Sequence, residues 1–433
     1  MPTFFMHICV MKEFLDLFDQ SSGICTDTRK IRKDCFYVAL KGENFNGNCF
    51  AEEALKMGAK YAVVDESEYV VDNNIFLVKN SLKFLQKLAN AHRNRFKIPV
   101  IGITGSNGKT STKELINIVL QKKYNVLCTK GNLNNHIGVP LTLLDINNSH
   151  ELAIIEMGAN HVGEIEELCQ IAEPNYGIIT NIGKAHLEGF GDFDGVYKTK
   201  TALYNFVIKS KGQIVYNADD RILTDYLKDY SQKKSFGTSE AMINGSLLEL
   251  NPYVKLEWTY KDEIRNIVQT QLIGKYNFYN FLAAISFGKL FELSNQEINE
   301  AISSYVSNNK RSEIRKTMHN TIIVDCYNAN PSSMKMALES FSLMKNEKSV
   351  AILGDMKELG KESSKEHSDL IALCDNLNIT YVTIGEEFYL HSENGFRDIN
   401  SFLEYLNSNP LKDQTILLKG SRGMELEKLI EFL

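Results

Sequence analysis

The densest chemistry in the chain lies in one run, Gly102-Ile103-Thr104-Gly105-Ser106-Asn107-Gly108-Lys109-Thr110. An apolar stretch, Pro99–Thr104, leads into it, and a helical pattern over Thr110–Gln121 leads out. A glycine-rich turn between a buried strand and a helix N-terminus aims backbone N–H groups at a polyphosphate, and the helix dipole adds a favourable field. Lys109 would neutralise the outer phosphates of a nucleoside triphosphate, and the Thr110 hydroxyl would ligate Mg²⁺. Thr104, Gly105, Ser106, Asn107, Gly108, Lys109, Thr110 and Ser111 are therefore the candidate nucleotide-binding residues. The strict P-loop spacing places a glycine where this chain has Ile103, so the loop is a Thr-Gly-x-x-Gly-Lys-Thr variant. The competing reading is an ordinary glycine-rich turn with an incidental lysine.

Other candidates end neighbouring strand-like runs. Glu156 closes Leu152-Ala153-Ile154-Ile155-Glu156, and an acid at a strand's carboxyl end beside a phosphate loop can hold Mg²⁺. His186 follows the run Tyr176–Asn181, where an imidazole could reach metal or phosphate. Lys198 and Lys200 read, from residue chemistry alone, as a solvated helix face. The segment Thr129–Pro140 is dense in amides, including Asn134 and Asn135. Such residues populate loops anyway, yet they also hydrogen-bond sugars and peptide groups, and both readings stand.

The elements that must position these residues fall into three blocks, placed at 1–96, 97–306 and 307–433. The first mixes short strands, Asp34–Leu40 and Ala59–Asp65, with a helix over Phe50–Gly58 that stops at glycine. The second alternates apolar strands with helices such as Val162–Ala172. The third repeats that rhythm with Thr321–Asp325, Ser349–Asp355 and Thr415–Gly420. Strands apolar on both faces and separated by helices indicate a parallel sheet covered on both sides. The expected fold is α/β with three domains: a small α/β domain, a central P-loop-type sheet, mostly parallel and flanked by helices, and a Rossmann-like last domain.

The whole-chain balance excludes several classes. Of 433 residues, 43% are hydrophobic and 24% charged, which suits globular domains rather than disorder. With only 7 prolines, long proline-rich linkers are absent and the blocks must be joined by short connections. A net charge of −6 supplies no general field for nucleic acid or a membrane surface, so anionic ligands need local cations. The eight cysteines form no CxxC pair and read as reduced, mostly buried thiols. The N-terminal segment lacks a basic start and a small-residue cleavage site, and no run approaches 18 apolar residues. A cytoplasmic location without stable membrane insertion is expected.

Taken together, these segments resemble the Mur ligase family of cell-wall amide ligases along nearly the whole chain. The resemblance rests on Thr104–Thr110, Glu156-Met157-Gly158-Ala159, Asn181–Glu188, Gly274–Asn280 and Lys419-Gly420-Ser421-Arg422-Gly423. Asp325–Met334, Leu353–Gly360 with His367, and Thr26–Lys30 with Val38–Gly47 resemble the branch that joins D-alanyl-D-alanine to a UDP-N-acetylmuramoyl-tripeptide. No Asp-Asn-Pro-Arg segment, usual in the sibling that adds a diamino acid, is found.

The resemblance implies an ATP-dependent ligase working through an acyl phosphate, with two Mg²⁺ ions and domain closure that excludes water. It implies that Lys109, His186 and Lys200 are catalytic. It makes Thr110, Glu156, His186 and a carbamylated Lys200 the metal ligands, reversing the solvated reading of that lysine. Asn277, Asn280, Arg311 and Asp325 would serve ATP, although Tyr276 stands where the family commonly has histidine. Thr28, Arg29, Lys41, Asn46 and Gly47 would serve the UDP-sugar substrate, with Asn134 and Asn135 kept from their amide chemistry as substrate-binding candidates. Tyr327, Asn328 and Asn330 would lie near the dipeptide. A monomer is expected. The alternatives are the diamino-acid sibling, a folate polyglutamate ligase, or a non-ligating nucleotide-binding regulator of the same fold.

Overall fold

A computed structural model describes residues 2–184, 187–250, 252–261, 263–307, 309–344 and 348–433. His186 lies outside the described residues. The chain forms two compact units, one of 1–103, 124–159 and 163–176, the other of 104–123, 160–162 and 177–433.

In the first unit, Ile24–Cys25, Phe36–Val38, Tyr61–Val64 and Ile75–Leu77 form a parallel four-stranded sheet in that order. Tyr37, Ala39, Ala62 and Val64 pack with Ala51 and Ala54 of the helix Ala51–Lys56. The strand expected over Asp34–Leu40 shortens because Asp34 has a φ of 62°, which breaks extended geometry. A small antiparallel hairpin pairs Lys41–Gly42 with Phe45–Asn46. The helix Ser81–Arg93 is capped by Asn80, whose side chain accepts from the Lys83 N–H. Three side chains of this helix reach carbonyls beyond it: Gln86 to His136, Asn90 to Gln170 and Arg93 to Ala172. The unit also holds residues 100–103 of the strand Val100–Thr104, beside Leu152–Glu156 and Val126–Cys128, all parallel. The helix expected over Val162–Ala172 begins at Glu164, because Gly163 has a φ of 93°.

In the second unit, the helix Lys109–Leu120 packs along Asn277–Leu290. Strands Gln213–Asn217, Lys233–Gly237 and Ile243–Glu249 are parallel neighbours. The sheet then turns antiparallel through Tyr253–Tyr260 and Asn266–Ile273.

The last block is a six-stranded sheet ordered Glu313–Lys316, Thr321–Val324, Thr415–Lys419, Ser349–Gly354, Thr380–Ile384, Gly395–Phe396. Only the first strand runs antiparallel. Ile323, Ala351, Leu353 and Leu417 face helices Pro331–Met344 and Ser363–Asn376. Ile322, Val324, Val350, Ile352, Ile416 and Leu418 face Ile399–Ser408 and the C-terminal turns. Alternate residues thus feed two cores, which is why these strands read as continuous apolar runs. The chain leaves Thr321–Val324 over one face and leaves Thr415–Lys419 over the other, so a crevice opens at their adjacent carboxyl ends.

Candidate active site

The glycine loop owes its shape to two backbone constraints. Gly105 has a φ of 146°, and a Cβ there would lie 2.0 Å from Thr180 Oγ1. Gly108 has a φ of 78°, precedes the helix Lys109–Leu120, and would bring a Cβ to 2.9 Å from Asn280 Oδ1. Only glycine meets both demands. The segment after Tyr176–Ile179 braces the loop. Ser106 N–H donates to the Asn181 carbonyl (3.0 Å), and Asn107 N–H to Asn181 Oδ1 (3.0 Å). Thr180 Oγ1 and Asn181 Nδ2 both donate to the Asn107 carbonyl (2.5 and 2.9 Å). Lys109 folds back, its Nζ donating to the carbonyls of Gly105 (2.7 Å) and Ser106 (3.2 Å). The ammonium is thereby held over the loop whose N–H groups would receive phosphate.

Glu156 pairs in register with Ile103, the residue before the loop. It is buried, its Oε1 accepts from Asn134 Nδ2 (2.8 Å), and its N–H donates to Thr129 Oγ1 (3.0 Å). The amide-rich segment therefore divides. Asn134 supports the carboxylate, whereas Asn135 caps the turn into Gly138–Leu144 by accepting from Ile137 and Gly138 N–H. Lys200 is 1% exposed on the helix Phe193–Lys209, with its Nζ 5.3 Å from the centre of the Phe190 ring. Lys198 is solvated and paired with Asp194 (2.6 Å), so the surface-helix reading describes Lys198 and not Lys200.

A polar chain runs from the helix after the loop into the last block. Thr112 Oγ1 donates to Asn280 Oδ1 (3.0 Å), Asn280 Nδ2 to Asn277 Oδ1 (2.8 Å), and Asn277 Nδ2 to Ser312 Oγ (3.3 Å). Ser312 N–H reaches Asp325 Oδ1 (3.3 Å), and Lys419 Nζ meets Asp325 Oδ2 at 2.7 Å. Tyr276 hydrogen-bonds Ser312 Oγ (2.7 Å), and burial pushes its phenol pKa up. Thr112 and Ser312 were given no role from the sequence, and Lys419 entered it only within a matched segment, because their roles depend on partners far along the chain.

At the crevice of the last sheet, the guanidiniums of Arg311 and Arg422 both lie over the Tyr327 ring, 4.0 and 5.1 Å from its centre. Asn328 Oδ1 accepts from Ala329 N–H (2.9 Å). Asn330 Nδ2 donates to Asn107 Oδ1 of the glycine loop (2.9 Å). In the first unit, Thr28 and Arg29 form a single 3₁₀ turn capped by Asp27, and exposed Arg29 forks onto that aspartate (2.9 and 2.8 Å). Lys41 and Asn46 converge on Glu66 (2.5 and 2.8 Å), and the contact with Lys41 lowers the Glu66 pKa. Gly47 sits tight under Leu40, where a Cβ would come 2.4 Å from the carbonyl oxygen.

Matches to family models span the chain: a Mur ligase family catalytic domain over 20–93, a Mur ligase middle domain over 103–288, and a Mur ligase glutamate ligase domain over 310–422. The chain belongs to the Mur ligase family. It is 34% identical to the UDP-N-acetylmuramoyl-tripeptide–D-alanyl-D-alanine ligase of Bacillus subtilis, across 95% of this chain and 93% of that one. The enzyme of the same name from Escherichia coli is 32% identical over the same shares. Among solved structures, MurF from Acinetobacter baumannii matches with a TM-score of 0.88 at 27% identity over 97% of each chain. The Thermotoga maritima MurF ligase in complex with ADP matches at 0.85 and 27%, over 96% of this chain and 97% of that one. The three-domain α/β fold expected from the sequence is the fold of these structures.

Proposed function

We propose that this chain uses ATP to join D-alanyl-D-alanine to UDP-N-acetylmuramoyl-tripeptide, yielding the UDP-muramoyl-pentapeptide, ADP and phosphate for peptidoglycan synthesis. The observation that carries it is the full-length similarity to relatives named for that ligation. The tripeptide's terminal carboxylate attacks the γ-phosphate and forms an acyl phosphate. The dipeptide amine then attacks the acyl carbon, and phosphate leaves. Both steps crowd anions together, so Lys109 and the loop N–H groups act by offsetting that repulsion.

Mg²⁺ fits the donors present. Thr110 offers a hydroxyl and Glu156 a buried carboxylate, both hard oxygen ligands. Among the described residues no group of three or more His, Cys, Asp or Glu side chains converges, which suits an ion held partly by substrate phosphates. A lysine ammonium is no ligand, so Lys200 fits only as a carbamate, with His186 as its companion. Bound Mg²⁺ would neutralise phosphate charge and orient the reacting oxygens.

In this reading, residues 1–96 serve the UDP-sugar through Thr28, Arg29, Lys41, Asn46 and Gly47, with Asn134 and Asn135 from the next block. Residues 97–306 serve ATP, together with Asn277 and Asn280. Residues 307–433 bring Arg311 and Asp325 to ATP and Tyr327, Asn328 and Asn330 to the dipeptide. Among the described residues no helix is long and apolar enough to cross a membrane, and the enzyme is proposed to work in the cytoplasm. Phosphate release from ATP, with UDP-muramoyl-tripeptide and a panel of amines, tests the reading. Release with D-alanyl-D-alanine alone is expected. Release with a diamino acid on a dipeptide acceptor would overturn it, and no release with any amine would favour a regulator.

A further inference from the structure

The incoming dipeptide carries a carboxylate that the reaction does not consume. A ligase that prefers it over other amines needs a cation for that group. At the crevice of the last sheet, Arg311 and Arg422 share the ring of Tyr327. Arg422 NH1 also donates to the Tyr327 hydroxyl (3.2 Å), fixing its planar fork beside the ring. Among the described residues no carboxylate pairs with either guanidinium. The neighbouring carboxylates are committed elsewhere. Asp325 is held by Lys419 (2.7 Å), Glu427 by Lys310 (2.7 Å), and Asp355 by the N–H groups of Glu387 (3.1 Å) and Phe388 (3.0 Å). The Nε of Arg311 is buried and finds no hydrogen-bond partner among the described residues.

Two guanidiniums gathered on one ring without an anion repel each other, and an anionic ligand removes that cost. The backbone leading into exposed Arg422 is anchored at the residue before it. Ser421 N–H donates to the Asp355 carbonyl (3.1 Å), and Ser421 Oγ accepts from Lys357 N–H (2.9 Å). A nucleotide phosphate is the rival anion, but the glycine loop already supplies phosphate with N–H groups and Lys109. A guanidinium fork matches a carboxylate in two parallel hydrogen bonds.

We infer that Arg422, oriented by Tyr327, binds the terminal carboxylate of the incoming dipeptide and so selects the amine substrate. This rests on the ligation proposed above. The test compares D-alanyl-D-alanine with its C-terminal amide, in the wild-type chain and in Arg422→Ala and Arg422→Lys. Wild type should prefer the free carboxylate. Arg422→Ala should raise KM for the dipeptide roughly 10- to 100-fold, the loss expected for charge-assisted bonds, while leaving KM for ATP within about twofold and erasing the preference over the amide. Arg422→Lys should recover part of it. A preference that survives in Arg422→Ala, or a rise confined to KM for ATP, overturns the inference. Wild-type inactivity with D-alanyl-D-alanine would instead sink the ligation reading and the inference with it.

Discussion

Lys198 and Lys200 stand two positions apart on one helix and meet different surroundings. The first is solvated beside Asp194, whereas the second is buried beside Phe190. On the carbamate role proposed for Lys200, Lys200→Ala should lose most ligase activity while nucleotide binding, followed by equilibrium dialysis, largely survives. Full activity in that variant would reject the carbamate role. His92 yields a second expectation. It is buried, its Nε2 lies 2.8 Å from the Ile146 carbonyl, and its Nδ1 has no partner among the described residues. Nε2–H therefore donates, and a second proton on Nδ1 would find no acceptor. Burial lowers its pKa below the usual 6.5. The unfolded chain then binds the proton more readily, so the contribution is whole above pH 6.5 and is lost as pH falls below it. His92→Gln keeps a donor and removes the titration. Between pH 7.5 and 5.5 its Tm should fall less than that of wild type, and equal falls would refute this assignment.

At the scale of elements, the helices Lys109–Leu120 and Asn277–Leu290 are joined by Thr112, Asn280 and Asn277. Asn280→Ala would leave two buried polar groups unmet, at a cost of about 1–3 kcal/mol. Denaturant unfolding without nucleotide should register that loss, and unchanged stability with weaker ATP binding would make Asn280 a ligand contact only. Elements of this kind differ in how legible they are from sequence. The strand–loop–helix around Gly105 and the doubly covered strand Ser349–Gly354 announce themselves, because glycine spacing and long apolar runs are local signals. Tyr253–Tyr260 alternates buried and half-buried residues, yet its antiparallel pairing was not anticipated amid parallel strands. The strand Glu313–Lys316 is too short and polar for any pattern to mark it. To residue chemistry alone Lys200 was equally hidden, since Thr199 and Thr201 beside it are polar, and only the family resemblance singled it out. The contact of Asn330 with Asn107 likewise depends on a fold that brings together residues far apart in sequence.

At the scale of the molecule, −6 net charge is spread over a chain whose proposed ligands are anions. Cations must therefore be concentrated where those anions bind, which is the role proposed for Lys109, Arg311 and Arg422. A monomer is proposed, and sedimentation equilibrium should return the mass of one chain, with a stable dimer counting against it. The division of the chain has a consequence for its synthesis. The helix Lys109–Leu120 carries Leu115, Ile116, Val119 and Leu120 on its buried side, and it packs along Asn277–Leu290. A ribosome adding about 5–20 residues per second makes the first helix roughly ten to thirty seconds before the second. Through that interval the nascent helix must carry an apolar face without its later partner. Slowing translation between residues 120 and 290 would prolong the period in which the unfinished chain is open to misassociation or chaperone capture.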